Sequence, residues 1–373
     1  MSVECEKVGG VNLSQGVCDL EVPKSVRDGA HAAIEAGQNS YSRHDGTATL
    51  REAIAAKYER LYGLNVDPEK NVVVSSGATG ALYCACLALL EPGDEVILFE
   101  PYYSYHQSTL LATQAVPAFV PTSMPDWSFS MDDLENAVTE KTRALILNTP
   151  SNPSGKVWGR NEMEQVAAFC EKHDLFIFTD EIYEHFVFDG LEHISFASLP
   201  GMWDRTITIS GLSKTFSITG WRIGYCICSD KWADAIANFN DLVYVCAPTP
   251  LQLGAAAGLV QLDDEYFRKL SAKYQAKRER LCGALADAGL TPCVPQGAYY
   301  VLADVSSLPG EDSTARAMYL LHETGVASVP GETFFTGPEG KSIVRFCFAK
   351  KDDVIEDACR RLGALSVRAA ASV

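Results

Sequence analysis

The sequence predicts an α/β protein whose core is a mostly parallel sheet covered by helices on both faces. Three observations carry this prediction. Short β-rich runs alternate with helical stretches through the middle of the chain, the pattern of strand–helix–strand units. Several of those runs, such as 71–75 and 175–179, are apolar on successive residues, as strands buried on both faces are. From about Thr291 the pattern changes to short strands plus helices, which marks a smaller second domain. At 373 residues the chain has room for two or three domains of about 150 residues each.

In chain order, Pro23–Ala36 and Thr47–Tyr62 read as helices. Asn71–Ser75 (NVVVS) is a buried strand, and Ala78–Leu90 an apolar helix after it. Glu91-Pro-Gly-Asp94 is a turn because Pro and Gly punctuate the pattern there. Strands follow at Glu95–Phe99 and Val116–Val120, a helix at Met131–Val138 and a strand at Arg143–Leu147. Glu162–His173 is helical, and Leu175–Thr179, Thr206–Ser210 and Arg222–Cys228 are strands. Lys231–Val245 and Asp264–Ala288 are helices. The expected division is a segment 1–40 packing with the small domain, a large domain 41–285 and a small domain 286–373. Ligands of such sheets bind in loops at the carboxyl ends of the strands.

Composition narrows the function. With 48 acidic against 31 basic residues and a net charge of −17, the chain lacks the basic footprint of a nucleic-acid or anionic-membrane binder. The start, MSVECEKVGG, carries no apolar signal region. The longest apolar run, Ala81–Leu90, is half the roughly 20 residues a bilayer span needs. Twelve cysteines are dispersed with no Cys-x-x-Cys, so they read as buried free thiols in a reducing, cytoplasmic setting rather than as disulfides. The seven histidines are isolated, and no metal site is expected.

The chemistry-bearing residues cluster at strand ends. Ser75-Ser-Gly-Ala-Thr-Gly80 opens a helix; it is either a plain turn or an anion site of exposed N–H groups. Asn148-Thr-Pro-Ser-Asn-Pro-Ser-Gly155 contains two prolines that fix the backbone and would present the Asn152 amide rigidly. Asp180 ends a strand and is either a helix cap or a partner for a ligand shared with Tyr183. The sharpest signal is Lys214, set among small and apolar residues directly after a strand, with Arg222 eight residues on. A lysine is ordinarily a solvated surface charge. A partly desolvated one has a lowered pKa and becomes an amine able to form a Schiff base. Arg345, inside the apolar run Ser342-Ile-Val-Arg-Phe-Cys-Phe-Ala349, has the fork that matches a carboxylate.

With these residues in view, the chain resembles the class I/II (fold type I) pyridoxal-phosphate-dependent aminotransferases along nearly its whole length. The lysine signature is Gly211-Leu-Ser-Lys-Thr-Phe-Ser-Ile-Thr-Gly-Trp-Arg-Ile-Gly224; Asn-Pro-Ser-Gly, the Asp-x-x-Tyr step and Arg-Phe-Cys-Phe-Ala follow the family's order. The resemblance implies that the large domain binds pyridoxal 5'-phosphate. Lys214 would hold the cofactor and shuttle a proton, and Asp180 would pair with the ring nitrogen. Asn152 and Tyr183 would bond its phenolic oxygen. Ala78 and Thr79 N–H groups with Arg222 would hold the phosphate, Ser213 being a further candidate. Tyr103, in preference to Tyr102, would stack on the ring. Arg345 would grip the substrate α-carboxylate, helped by the Gly16 backbone. Tyr41 would reach the phosphate of a neighbouring subunit, which implies a homodimer with shared sites.

The implied activity is transfer of an amino group from an L-amino acid to a 2-oxo acid by a ping-pong mechanism through a Schiff base on Lys214. There are departures from the pattern. Cys18 stands where relatives often have proline, and Thr79 where some aspartate-specific relatives carry lysine. The cluster Tyr102, Tyr103, Tyr105, Tyr299 and Phe334 reads either as the lining of an apolar pocket or, for Tyr299 and Phe334, as core. Apolar, aromatic or sulfur-containing side chains are therefore expected over aspartate. Alternatives are a C–S lyase or a cyclopropane-forming synthase on the same scaffold. A more distant one is a nicotinamide-dependent dehydrogenase, for which Gly-x-Gly-x-x-Gly is missing.

Overall fold

The structure, a computed structural model, describes residues 1–371; the last two residues of the expected 286–373 domain lie outside them. Its centre is an eight-stranded sheet in the order Val72–Ser76, Ile223–Ile227, Thr206–Gly211, Phe176–Asp180, Thr142–Asn148, Glu95–Glu100, Val116–Ser123, Ser128–Phe129. The five strands from Thr206–Gly211 to Val116–Ser123 are mutually parallel. Ile223–Ile227 runs antiparallel to both its neighbours, and Ser128–Phe129 is antiparallel at the edge. The expected strand from Arg222 begins at Ile223 instead, because Arg222 takes a left-handed conformation (φ 57°) that turns the chain into the strand.

Every residue of Thr206–Gly211 and Ile223–Ile227 is buried; the second reads as an unbroken apolar run, as a strand covered on both faces does, while the first alternates Ile with buried Thr and Ser. Helices Gly77–Leu89, Ser104–Ala112 and Asp230–Tyr244 share one core with the sheet, built around Leu82, Val96, Leu98, Leu110 and Ile236. Arg160–Lys172 covers the opposite side through Met163, Val166 and Phe169. Helices Ala48–Tyr62 and Thr249–Gln261 close the end of the sheet around Val72, Val74 and Ile223. The helix Thr249–Gln261 escaped the sequence reading because its run of Leu, Gly, Ala and Val has no polar stripe to mark a period.

A four-stranded antiparallel sheet, Thr291–Cys293, Tyr300–Asp304, Ile343–Cys347 and Val329–Pro330 in that order, forms the second layer system. It packs with Asp264–Asp287, Ser313–Thr324 and Asp352–Ala371. The N-terminal segment does not behave as one unit. Val11–Asn12 pairs in parallel with Val326–Ala327, but helix Lys24–Glu35 packs on Thr249–Gln261 of the large sheet's flank. The expectation that 1–40 joins the small domain is corrected on that point. Val26 inserts among Leu50, Ile54 and Ala255, and its burial there holds the helix to the large domain.

Candidate active site

Five loops leave the carboxyl ends of strands of the large sheet and enclose a cavity of about 390 Å³. The cavity is where an open α/β sheet offers its ligand crevice. Of the residues singled out from sequence, Gly16, Ala78, Thr79, Tyr103, Asn152, Asp180, Tyr183, Ser213, Lys214 and Arg222 all line it. Tyr102 instead turns into the core against Phe119. Tyr299 and Phe334 are buried too, Tyr299 stacked on Tyr274 and Phe334 beside Trp127. Tyr41 is 82% exposed and lines a separate surface cleft with Arg43, Arg51 and Thr249.

Lys214 follows the strand Thr206–Gly211 in a tight turn in which Ser217 accepts a left-handed φ. Its Nζ donates to the Gly16 carbonyl at 3.3 Å. Burial lowers the Lys214 pKa from the usual lysine value, with Cys18, Cys347 and Asp180 opposing, so the amine is biased toward its neutral, nucleophilic form. Gly16 itself is required by crowding: a Cβ there would sit 2.0 Å from the hydroxyl of the buried Tyr300. The same Gly16 carbonyl accepts from Tyr299 at 3.3 Å.

Asp180 ends its strand with one oxygen on His106 Nε2 at 2.9 Å and the other accepting from the Ile182 backbone N–H at 3.2 Å. Asn148, at the end of the adjacent strand, donates to the Asp180 carbonyl at 2.8 Å and accepts from the Asn152 N–H at 2.6 Å. Asn152 is thereby fixed, and its side-chain oxygen accepts from Arg345 Nη1 at 2.7 Å. Arg345 does not line the cavity; it stands behind Asn152, with its guanidinium over the rings of Tyr300 (4.2 Å) and Phe334 (4.8 Å) and Nη2 on the Ser14 carbonyl at 3.1 Å. The Tyr183 hydroxyl meets that of Tyr300 at 3.1 Å, and burial raises the pKa of both.

His106, Asn148 and Tyr300 were missed from sequence. His106 had a signal: it sits three residues after Tyr103 at the start of helix Ser104–Ala112, so both face one way. Tyr300 had none beyond its place beside Tyr299.

A phosphorylated, planar cofactor fits the residues present. The cavity end near Gly77 offers the first N–H groups of the helix Gly77–Leu89, the Arg222 guanidinium and the Ser213 hydroxyl, buried without a hydrogen-bond partner among the described residues. Together these form an anion site. Gly77 (φ 74°) keeps that end open, since a Cβ there would meet Arg222 Nη2 at 2.4 Å. Tyr103 supplies an aromatic wall, itself stacked on Tyr105 with ring centroids 5.0 Å apart.

Comparison with known proteins agrees with this geometry. Residues 8–362 match the profile of aminotransferase class I and II. The chain is 36% identical to the kynurenine–oxoglutarate transaminase of Dictyostelium discoideum, over 94% of this chain and 90% of that protein. It is 38% identical to a probable N-succinyldiaminopimelate aminotransferase of Mycobacterium tuberculosis, over 99% and 96%. The solved N-succinyldiaminopimelate aminotransferase of that organism superposes with a TM-score of 0.94 at 36% identity, covering 98% of this chain and 96% of that one. An Escherichia coli protein with a methionine aminotransferase function superposes at 0.93 with 32% identity, covering 97% and 94%. The chain therefore belongs to the class I and II aminotransferases, and is a pyridoxal-phosphate-dependent transaminase of fold type I acting on an amino acid and a 2-oxo acid.

Proposed function

We propose that the amino donor is an L-amino acid with an apolar, aromatic or sulfur-containing side chain. The observation that carries this reading is the cavity wall. Tyr103, Tyr105, Val17 and Leu82 line it, and the permanent cation among its described lining residues is Arg222, Lys214 being biased toward its neutral form. With Arg222 on the phosphate and Arg345 on the α-carboxylate, no permanent cation among the described lining residues is left for an acidic side chain, whose desolvation would go uncompensated. The names of the kynurenine and methionine relatives point the same way. The N-succinyldiaminopimelate relative points to a more acidic donor.

The bound cofactor supplies a ring that accepts the negative charge left when the substrate Cα loses its proton. Lys214 tethers the cofactor, and its amine takes and returns that proton. Asp180 holds a proton at the ring nitrogen by its negative charge, and His106 and the Ile182 N–H hold Asp180. Tyr183 and Asn152 bond the phenolic oxygen. Ala78 and Thr79 N–H groups, Ser213 and Arg222 hold the phosphate, and Tyr103 lies against the ring. Arg345 would bind the α-carboxylate next to the Gly16 backbone, its Nη1 exchanging the Asn152 oxygen it holds here for the carboxylate, which would aim one Cα bond and set the reaction course. The working unit is a homodimer in which the exposed Tyr41 reaches the partner's phosphate. Its compartment is cytoplasmic; the twelve cysteines are free, and no described helix is long and apolar enough to cross a membrane.

A panel of amino acids against two 2-oxo acids tests the donor. Phenylalanine, kynurenine or methionine should exceed aspartate and N-succinyldiaminopimelate in kcat/KM by about tenfold or more. Aspartate ranking first would sink the cavity-wall argument. Lys214→Ala should lose about a thousandfold or more in turnover with any donor. Subunit mixing tests the dimer. Tyr41→Phe and Lys214→Ala chains, combined under limiting cofactor, should recover activity that neither shows alone. No recovery after proven exchange would place Tyr41 outside the partner's site.

A further inference from the structure

A second cluster of charged side chains adjoins the cavity without lining it. Lys57, from helix Ala48–Tyr62, and Glu184, one residue after Tyr183, form an ion pair in which the two side chains are 2% and 1% exposed. The Glu184 carboxylate also accepts from Ser210 Oγ at 3.0 Å and from the Tyr62 hydroxyl at 2.8 Å. Lys57 donates in addition to the Tyr225 hydroxyl at 2.7 Å. Ser210 and Tyr225 face each other across the register of adjacent strands, and the Ser210 strand leads directly to Lys214.

We propose that Lys57 and Glu184 are positioning residues for the reaction, a buried pair that sets where Tyr183 stands relative to Lys214. Tyr183 and Glu184 share one tight turn, closed by Glu184 N–H on the Glu181 carbonyl (3.0 Å) and Phe186 N–H on the Tyr183 carbonyl (2.8 Å). The Glu184 side chain is the strap that fastens this turn to the strand carrying Lys214. Lys57 comes from a helix outside the parallel part of the sheet, and is the cation that lets a carboxylate stay ionised so deep. Without it, Glu184 must take up a proton or drag the turn toward water, since neither charge can be hydrated in place. Tyr183 moves with the turn, because its backbone is part of it, and the hydroxyl's bond to Tyr300 at 3.1 Å is then strained or lost.

The inference rests on the reading of Tyr183 as a donor to the cofactor's phenolic oxygen, and the experiment separates the two. The readout is the pH midpoint of the bound cofactor's visible absorption in the holoenzyme, with kcat and KM measured alongside. A donor to the phenolic oxygen favours its anion, so losing the donor raises the midpoint. Tyr183→Phe should raise it by about one unit, a tenfold change in proton affinity. Lys57→Met should raise it by about threefold or more in proton affinity, and lower kcat with KM within about twofold of wild type. Lys57→Met/Glu184→Gln, which removes both charges, should move the midpoint back. If Lys57→Met does not fold, Tyr62→Phe removes one donor from Glu184 and should shift the midpoint the same way by about twofold. A lowered melting temperature with an unmoved midpoint in Lys57→Met, or in Tyr62→Phe where the former fails to fold, overturns the proposal while Tyr183→Phe still shifts. An unmoved midpoint in Tyr183→Phe sinks the reading of Tyr183 and the proposal with it.

Discussion

Asp180 ends a strand and Glu184 lies in the turn that follows it, yet they face opposite surroundings. Asp180 looks into the cavity, where its oxygens take His106 and one backbone N–H and its side chain keeps 13% exposure. Glu184 looks away from it and is satisfied by Lys57, Ser210 and Tyr62. Burial alone would raise the Glu184 pKa, but Lys57, His185 and His193 outweigh it and hold it at about 2. Glu181, between them, has no such cation: burial pushes it up to about 8, and its Oε2 makes no hydrogen bond among the described residues and has His193 Nε2 at 3.8 Å. The same residue type is thus charged or neutral according to what the fold brings to it.

The largest expected effect breaks the cavity side of this contrast. Asp180→Asn removes the negative charge and leaves the shape. Turnover should fall by roughly a hundredfold, the equivalent of about 3 kcal/mol for a close charge-assisted bond, while cofactor binding survives. Near-wild-type turnover in the Asn variant would refute the role given to Asp180.

The interior side is tested by pH. Burial lowers the His185 and His193 pKa values to about 4 from 6.5. The folded state then keeps them neutral, and the stability this gives is lost as pH falls from 6.5 toward 4. Glu181 acts in the reverse sense. Its folded value of about 8 lies above the ordinary 4.5, so it holds a proton that the unfolded chain gives up, and stability drains as pH rises. Between pH 6.5 and 8 the histidines finish titrating in the unfolded chain and Glu181 dominates the balance. It should cost the folded state about 2 kcal/mol across that window. Glu181→Gln, which mimics the protonated carboxyl, should abolish that decline in denaturant titrations. An unchanged slope in the variant would show that Glu181 does not hold its proton.

The smallest effect sharpens the comparison. His106→Phe leaves one Asp180 oxygen without its partner but leaves the charge. A loss of about tenfold in kcat with little change in KM is expected, from one hydrogen bond of roughly 1.5 kcal/mol. A fall of the size expected for Asp180→Asn would mean that the histidine, not the carboxylate, dominates.

Much of the site was legible because each loop carries its own local signature. Lys214 among small residues, the doubled proline around Asn152 and the glycine before Ala78 are constraints that neighbours in sequence impose. The strands were legible for a similar reason, since burial on both faces leaves an unbroken apolar run. The helix Thr249–Gln261 was not, because an element apolar on every side shows no period.

What the sequence by itself determined is the set of loops, the order of the strands along the chain and the small, apolar setting of Lys214. Only the tertiary structure decided which aromatic faces the cavity, that His106 backs Asp180, that Tyr300 forbids a side chain at residue 16, and that Lys57 pairs with Glu184. Those contacts join residues from 74 to 284 positions apart. Separations of that size leave no pattern in a local window. Whether a buried carboxyl is charged depends on which cation the fold sets beside it, and a sequence read in windows does not contain that distance.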